Sequence, residues 1–320
     1  MNAIEQRIAA LEGYLPPLTA KPDIDEFWDS MLREYADKPL CATVVPVETP
    51  LALADTFAVT YEGFDDTPIH GWFIRPKQLD GRKVPCVVVY HGYTGDKGYP
   101  ENHAQWLMMG YCVFAVDTRG QGGETGNRLN VEFGTAPGWV GQNVLDKRNS
   151  YYAAVAIDSV KAVDFVCARE EVDTRHIYLE GTSQGGGIVL QTAALSGKAA
   201  VAVANVPNMC HMDFGILNSA SSLSELAKFC TRHPDKLIEV LDTLSYFDVM
   251  NLAHRVRIPV MISVGLKDPC CMPESIYAAF NRLTCEKQIH PYPFMGHAQI
   301  GYHNRLGMAF MENYRRTFTS

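Results

Sequence analysis

The 320-residue sequence predicts an α/β protein with a mostly parallel central sheet flanked by helices, preceded by an N-terminal helical cap and a hairpin. Three observations carry this. From residue 84 onward, short apolar runs alternate with helix-patterned segments, the rhythm of a parallel sheet with right-handed crossovers. Pro85-Cys86-Val87-Val88-Val89-Tyr90 is apolar without interruption, as a strand buried on both faces must be. A small-residue turn, Gly181-Thr182-Ser183-Gln184-Gly185-Gly186-Gly187, stands between a strand-like and a helix-like run.

Taken in order, apolar spacing predicts a short helix over 4–11, stopped by Gly13 and Pro16-Pro17, and an amphipathic helix over 23–35. Acidic residues in the first turn of the second helix suit the positive end of its dipole. An extended crossing then leads to strands 56–62 and 69–74, which the turn 63–68 joins as an antiparallel hairpin. Next come strand 85–90, helix 102–109 and strand 111–117. Residues 122–150 are rich in Gly and Asn with little periodicity, so they form a long excursion over the sheet edge. In helix 151–168, Ala154, Val155, Ile157, Val160 and Val163 form an apolar face, and Asp158, Lys161 and Asp164 a polar one. The turn strand 177–179, its helix 188–195 and strand 200–206 follow. A largely helical excursion over 207–251, strand 260–265, helix 274–283, strand 287–292 and helix 303–317 complete the chain. Residues 1–320 are thus expected to be a single domain, with 1–50 as an N-terminal helical extension and 122–150 and 207–251 as insertions.

Composition excludes several function classes. The net charge of −8 and the lack of a basic run argue against nucleic acid as a partner. No window is apolar and long enough for a transmembrane helix, and the N-terminus lacks the pattern of a secretory signal. The nine cysteines are scattered, odd in number and free of any C-x-x-C pair, so a reducing cytoplasm is the expected location. Adjacent Cys270 and Cys271 are expected to be semi-buried small residues.

Ligands of an open α/β sheet bind beyond the carboxyl ends of its strands, and three residues there form a chemical set. Ser183 lies in a G-x-S-x-G turn after one strand, Asp268 follows strand 260–265, and His297 follows the last strand. The order Ser, Asp, His is that of the α/β-hydrolase fold, whose nucleophile sits on a sharp strand-to-helix turn. A serine hydroxyl is barely ionised at neutral pH and needs a base; His297 supplies one, and Asp268 would orient its ring. The oxyanion requires preorganised donors, expected from the backbone N–H groups of Gln184 and Tyr93. His91 is expected to order its loop. Asp242 and Asp248, the rival carboxylates, are explained by helix capping or surface exposure. Arg119 and Gln121 are supporting-loop candidates, Arg119 because its planar fork can tie several backbone carbonyls and carboxylates together. Neither a cofactor nor a metal is expected.

Arg119-Gly120-Gln121, Gly181-x-Ser183-Gln184-Gly185-Gly186 and the late Asp and His resemble the acetyl xylan esterase and cephalosporin C deacetylase family, carbohydrate esterase family 7. The resemblance extends to Asp25-Glu26-Phe27-Trp28 and Thr243-Leu244-Ser245-Tyr246-Phe247-Asp248. It implies a serine esterase that deacetylates small substrates, such as acetylated xylo-oligosaccharides or cephalosporin C, with the triad Ser183, Asp268 and His297 and oxyanion donors at Tyr93 and Gln184. It also implies a cytoplasmic homo-oligomer, a hexamer in the family. One departure is that Ala298 stands where the family usually has Glu after the catalytic His. A general short-chain carboxylesterase, a related serine peptidase and a non-catalytic receptor of the same fold are the alternatives.

Overall fold

The computed structural model describes residues 1–134 and 138–317. Positions 135–137 of the 122–150 excursion and residues 318–320 of the expected single domain lie outside the described residues. Nine strands build one sheet: β1 (Thr43–Val47), β2 (Ala54–Glu62), β3 (Pro68–Pro76), β4 (Val84–Tyr90), β5 (Cys112–Val116), β6 (Val172–Thr182), β7 (Val201–Asn205), β8 (Val260–Gly265) and β9 (Lys287–Tyr292). Their spatial order is β1-β2-β3-β5-β4-β6-β7-β8-β9. Pairing is antiparallel from β1 through β3 to β5, and parallel from β5 through β4 to β9. The hairpin expected at 56–62 and 69–74 is β2–β3. The extended crossing before it contains an unexpected strand, β1, whose Pro46 and mostly exposed side chains hide it in the sequence. An edge position tolerates a proline because one side of the strand needs no ladder donor.

Helices cover both faces. On one lie α1 (Ala3–Glu12), α2 (Ile24–Ala36), α4 (Tyr151–Cys167), α5 (Gln184–Leu195) and α10 (Pro273–Phe280), which share the larger core. Trp106 of α3 (Ala104–Met108) and Phe310 and Met311 of α11 (Gly301–Thr317) join the smaller core on the other face. The 207–251 excursion is helical, as expected, with α6 (Met212–Asn218), α7 (Leu223–Arg232), α8 (Leu237–Ser245) and α9 (Val249–Leu252). The N-terminal cap is pinned onto it. Trp28 is fully buried, its indole N–H donates to the Tyr246 carbonyl at 2.8 Å, and its ring meets Phe247 edge-on. Among the described residues, no helix is long and apolar enough to cross a membrane.

One expectation is corrected. Asp158 and Lys161 do not lie on a solvent-facing side of α4; both are buried. The helix is enclosed nearly all round, so its polar side chains turn inward onto partners: Lys161 donates to the Gly63 carbonyl at 2.9 Å and Asp158 accepts from Arg119. The nine cysteines are free, with Cys270 half-buried and Cys271 buried. Asp242 pairs with Lys21 at the surface, and Asp248 caps α9, so neither reaches the Ser183 site.

The helix that follows the His297 segment, α11, is docked through His303. This ring is buried, its Nδ1 lies 2.9 Å from the Tyr292 hydroxyl, and burial, with His290 nearby, pushes its pKa down to about 4. In the unfolded chain a histidine titrates near 6.5. Between these values the unfolded chain binds a proton that the folded chain refuses. The contribution is therefore complete above pH 6.5 and is lost as the pH falls toward 4. Urea unfolding at pH 7 and pH 4.5 should show a stability loss that is smaller, by about 2 kcal/mol, in His303→Gln than in the parent; equal losses would remove His303 from the account.

Candidate active site

The turn after β6 places Ser183 at φ 60° and ψ −119°, a conformation that a serine adopts only when its surroundings enforce it. The enforcement comes from backbone contacts that only glycine permits. A Cβ on Gly185 would stand 2.0 Å from the Tyr90 carbonyl oxygen, and one on Gly181 would stand 2.5 Å from the Gly185 oxygen. The Ser183 N–H donates to the Asn205 carbonyl at 2.8 Å, and its own carbonyl accepts from Gly187 N–H and Asn208 N–H. The first turn of α5 thus begins at once, at Gln184, with the serine side chain at its mouth.

Ser183, Asp268 and His297 come together although they are far apart in sequence. His297 Nδ1 lies 2.8 Å from Asp268 Oδ2, and Nε2 lies 2.9 Å from Ser183 Oγ. An ionised carboxylate only accepts, so Nδ1 carries the proton, and the neutral ring then presents Nε2 to accept from the serine hydroxyl. The other Asp268 oxygen accepts from Cys270 N–H at 2.8 Å and Cys271 N–H at 2.9 Å. Asp268 is fully enclosed, whereas the His297 side chain keeps 28% of its surface exposed.

Loops after β4 and β5 meet beside the serine. His91 donates through Nδ1 to the Gly92 carbonyl at 2.7 Å and accepts Thr118 N–H at Nε2 at 2.8 Å, so it bridges the two loops. Burial lowers its pKa, which favours this neutral, loop-ordering form. Tyr93 donates to Glu225 of α7 at 2.7 Å, and its hydroxyl accepts Trp139 N–H at 3.2 Å, so both excursions converge on the residue expected to offer an oxyanion N–H. Gln121 accepts Thr94 N–H at 2.9 Å and donates to Tyr151 Oη at 2.9 Å and to Gln184 Oε1 at 3.0 Å. It joins the Tyr93 loop to the start of α5.

Beneath this layer, Arg119 is wholly buried. Its Nε and Nη2 donate to the two oxygens of Asp158 at 2.6 and 2.9 Å, and Nη1 donates to Asp65 at 3.1 Å. The Arg119 carbonyl accepts from Tyr151 Oη at 2.7 Å. The fork therefore ties carboxylates, not the backbone carbonyls also expected of it. Burial pulls its pKa down, but the adjacent Asp158 and Asp65 charges outweigh it and hold the pKa above the usual guanidinium range.

The family model described as acetyl xylan esterase (AXE1) matches residues 1–314. This chain belongs to the acetyl xylan esterase family. The acetyl xylan esterase of Paenibacillus sp. R4 superposes with a TM-score of 0.93 at 37% identity, covering 96% of this chain and 99% of that one. Acetyl xylan esterase 1 of Thermoanaerobacterium sp. JW/SL YS485 gives 0.90 at 27% identity over 95% and 97% of the two chains. The acetyl esterase Axe7A of Xylanibacter ruminicola is 27% identical over 307 residues, 93% of this chain and 68% of that protein.

In this acetyl xylan esterase family member, the sequence does not reveal the partners of the supporting loop. Asp158 reads as one more polar residue on a helix face, and Asp65 as a turn residue. The available signal was Arg119 itself, since an arginine at the end of a buried strand requires carboxylates. Removing Asp158 leaves a buried guanidinium short of its principal partner, and breaking such a pair costs about 3–5 kcal/mol. Asp158→Ala should lower the unfolding free energy by about that amount in chemical denaturation, and the double variant Arg119→Met/Asp158→Leu should regain much of it. A loss below about 1 kcal/mol in Asp158→Ala would mean that the pair behaves like an exposed one.

Proposed function

We propose that the chain is a serine esterase that deacetylates small acetylated substrates through an acetyl-enzyme on Ser183. The observation that carries this is the hydrogen-bonded relay from Ser183 through His297 to Asp268, with Ser183 raised on a strained turn at the carboxyl ends of the parallel strands. Membership of the acetyl xylan esterase family supports ester hydrolysis as the reaction.

In the proposed mechanism, Ser183 Oγ attacks the acetyl carbonyl carbon as its proton passes to His297 Nε2. Asp268 stabilises the imidazolium and keeps the proton on Nδ1. The negative charge on the former carbonyl oxygen is received by the backbone N–H groups of Tyr93 and Gln184. As the C–O bond to the alcohol breaks, the Nε2 proton goes to the departing oxygen. A water then gives its proton to Nε2 and attacks the acetyl-enzyme; acetate leaves, and the proton returns to Ser183 Oγ.

Acetylated xylo-oligosaccharides and cephalosporin C are the proposed substrates, the former in line with the names of the relatives. Gln121, which meets Gln184, also lines an open cavity of about 490 Å³ with Asn127, Trp139 and Gln142, groups that suit a hydroxyl-rich leaving alcohol. Ser183→Ala should abolish p-nitrophenyl acetate hydrolysis with the fold intact, and the parent should prefer acetyl to butyryl esters by roughly tenfold or more. Unchanged turnover in the variant would sink the mechanism; equal acetyl and butyryl rates would point to a general carboxylesterase.

A cytoplasmic homo-oligomer, hexameric by family resemblance, completes the proposal. Phe294 and Tyr302 flank His297 at 77% and 63% exposure, apolar surface that a neighbouring copy would cover. Sedimentation velocity should give a species several times the 35.5 kDa chain mass, and a monomer at micromolar concentration would overturn the oligomer.

A further inference from the structure

The two halves of the relay are held very differently. Ser183 is locked by strands and glycine contacts, and Asp268 by two backbone N–H groups. Within the chain, His297 sits on a segment with little packing: Ala298 and Gln299 are exposed, and Ala298 offers only a methyl group next to the histidine. Backbone bonds tie the start of this segment to the Asp268 loop, through Lys267 N–H to the Met295 carbonyl at 3.0 Å. Between His297 and α11 it is held by Gln299, gripped at both ends of its carboxamide. Thr182 Oγ1 donates to Gln299 Oε1 at 2.9 Å, and Gln299 Nε2 donates to Glu180 Oε1 at 3.2 Å.

Glu180 is unusual where it stands. It occupies β6, three residues before the nucleophile, with Val89 and Val203 as its partners in register on the neighbouring strands. The same Oε1 that holds Gln299 also accepts from Asn205 Nδ2 at 2.8 Å. Asn205 is in turn the residue whose carbonyl receives the Ser183 N–H. One carboxyl oxygen thus connects the anchor of the nucleophile to the segment carrying the base. Withdrawal from water pushes the Glu180 carboxyl up to about 7. Both donors address Oε1, so the link is compatible with a proton on Oε2, and a carboxamide at this position could replace it.

We propose that Glu180, acting through Gln299, is a positioning residue that holds His297 Nε2 on Ser183 Oγ. This rests on the acyl-enzyme reading above. Glu180 touches no reacting atom; its effect is on the fraction of time that the base stands within hydrogen-bond reach, and displacement by about an ångström costs up to a hundredfold in rate. Glu180→Ala removes the carboxyl grip and leaves the Thr182 bond, Gln299→Ala removes both, and Glu180→Gln keeps both, its amide oxygen accepting the same two bonds.

The test is steady-state hydrolysis of p-nitrophenyl acetate by the parent, Glu180→Ala, Glu180→Gln, Gln299→Ala and the double alanine variant, each checked for folding by thermal melting. Labelling of the parent at Ser183 by a serine-directed phosphonate is measured first. Both single alanine variants should lose roughly tenfold or more in kcat with KM within about twofold. Glu180→Gln should stay within about threefold of the parent, and the double variant should be no worse than the poorer single one, as expected of one shared link. The downfield proton resonance of His297 Nδ1–H should broaden in the alanine variants and persist in Glu180→Gln. Gln299 is exposed, so Gln299→Ala tests the link even where Glu180→Ala fails to fold. Parent-like kcat in Gln299→Ala, or a Glu180→Gln variant as impaired as Glu180→Ala, overturns the positioning role. A parent enzyme with no label on Ser183 defeats the acyl-enzyme reading instead, whatever the variants do.

Discussion

The architecture around Ser183 depends on one close approach, that of the first turn of α5 to the end of β4 at Gly185 and the Tyr90 carbonyl. No side chain fits between them. Because the helix can begin so near the sheet, the chain turns through Ser183 in a left-handed conformation and leaves the hydroxyl proud of both elements. Backbone strain of this kind costs of order 1–3 kcal/mol and survives only where the surroundings over-determine it. Here they do so through the Asn205 carbonyl, the Asn208 N–H and the first helical bond from Gly187.

Around that rigid point the protein places polar frames rather than more apolar packing. Arg119 with Asp158 and Asp65 lies below the loop that carries Gln121, and Tyr151 joins the two levels by donating to the Arg119 carbonyl while accepting from Gln121. A buried ion pair seldom adds stability over a well-packed apolar pair, because desolvation consumes most of the attraction. What it offers here is direction: a planar fork with two carboxylates fixes the orientation of the loop that precedes Gln121. The second frame, at Tyr93, recruits Glu225 from one excursion and Trp139 from the other. The 122–150 and 207–251 excursions therefore both reach Tyr93.

The His297 side is more lightly built. His297 lies on an exposed segment close to the last helix, and the contacts that define it are hydrogen bonds at its two flanks. Such a design leaves the ring room to shift, a freedom that the proposed acid–base role would use. It also makes the spacing of 2.9 Å to Ser183 Oγ sensitive to single polar groups some distance away.

The sequence by itself determined the nature of the sheet and the identity of the three residues now found in contact. Apolar runs force strands 85–90 and 260–265 into a buried parallel sheet, and small residues at 181 and 185 permit only a tight turn. These are local constraints, written in neighbouring residues. Tertiary structure alone decided the rest. The edge strand β1 carries too little apolar pattern to announce itself, since it packs on one side only. Asp158 entered the interior because α4 is enclosed nearly all round, which its own spacing of polar residues contradicts. Gln299 and Glu180 are 119 positions apart, and nothing near either one indicates the other. Hydrogen-bond partners across such distances follow from how strands and loops are brought together, and a linear pattern records only the demands each residue makes of its immediate neighbours.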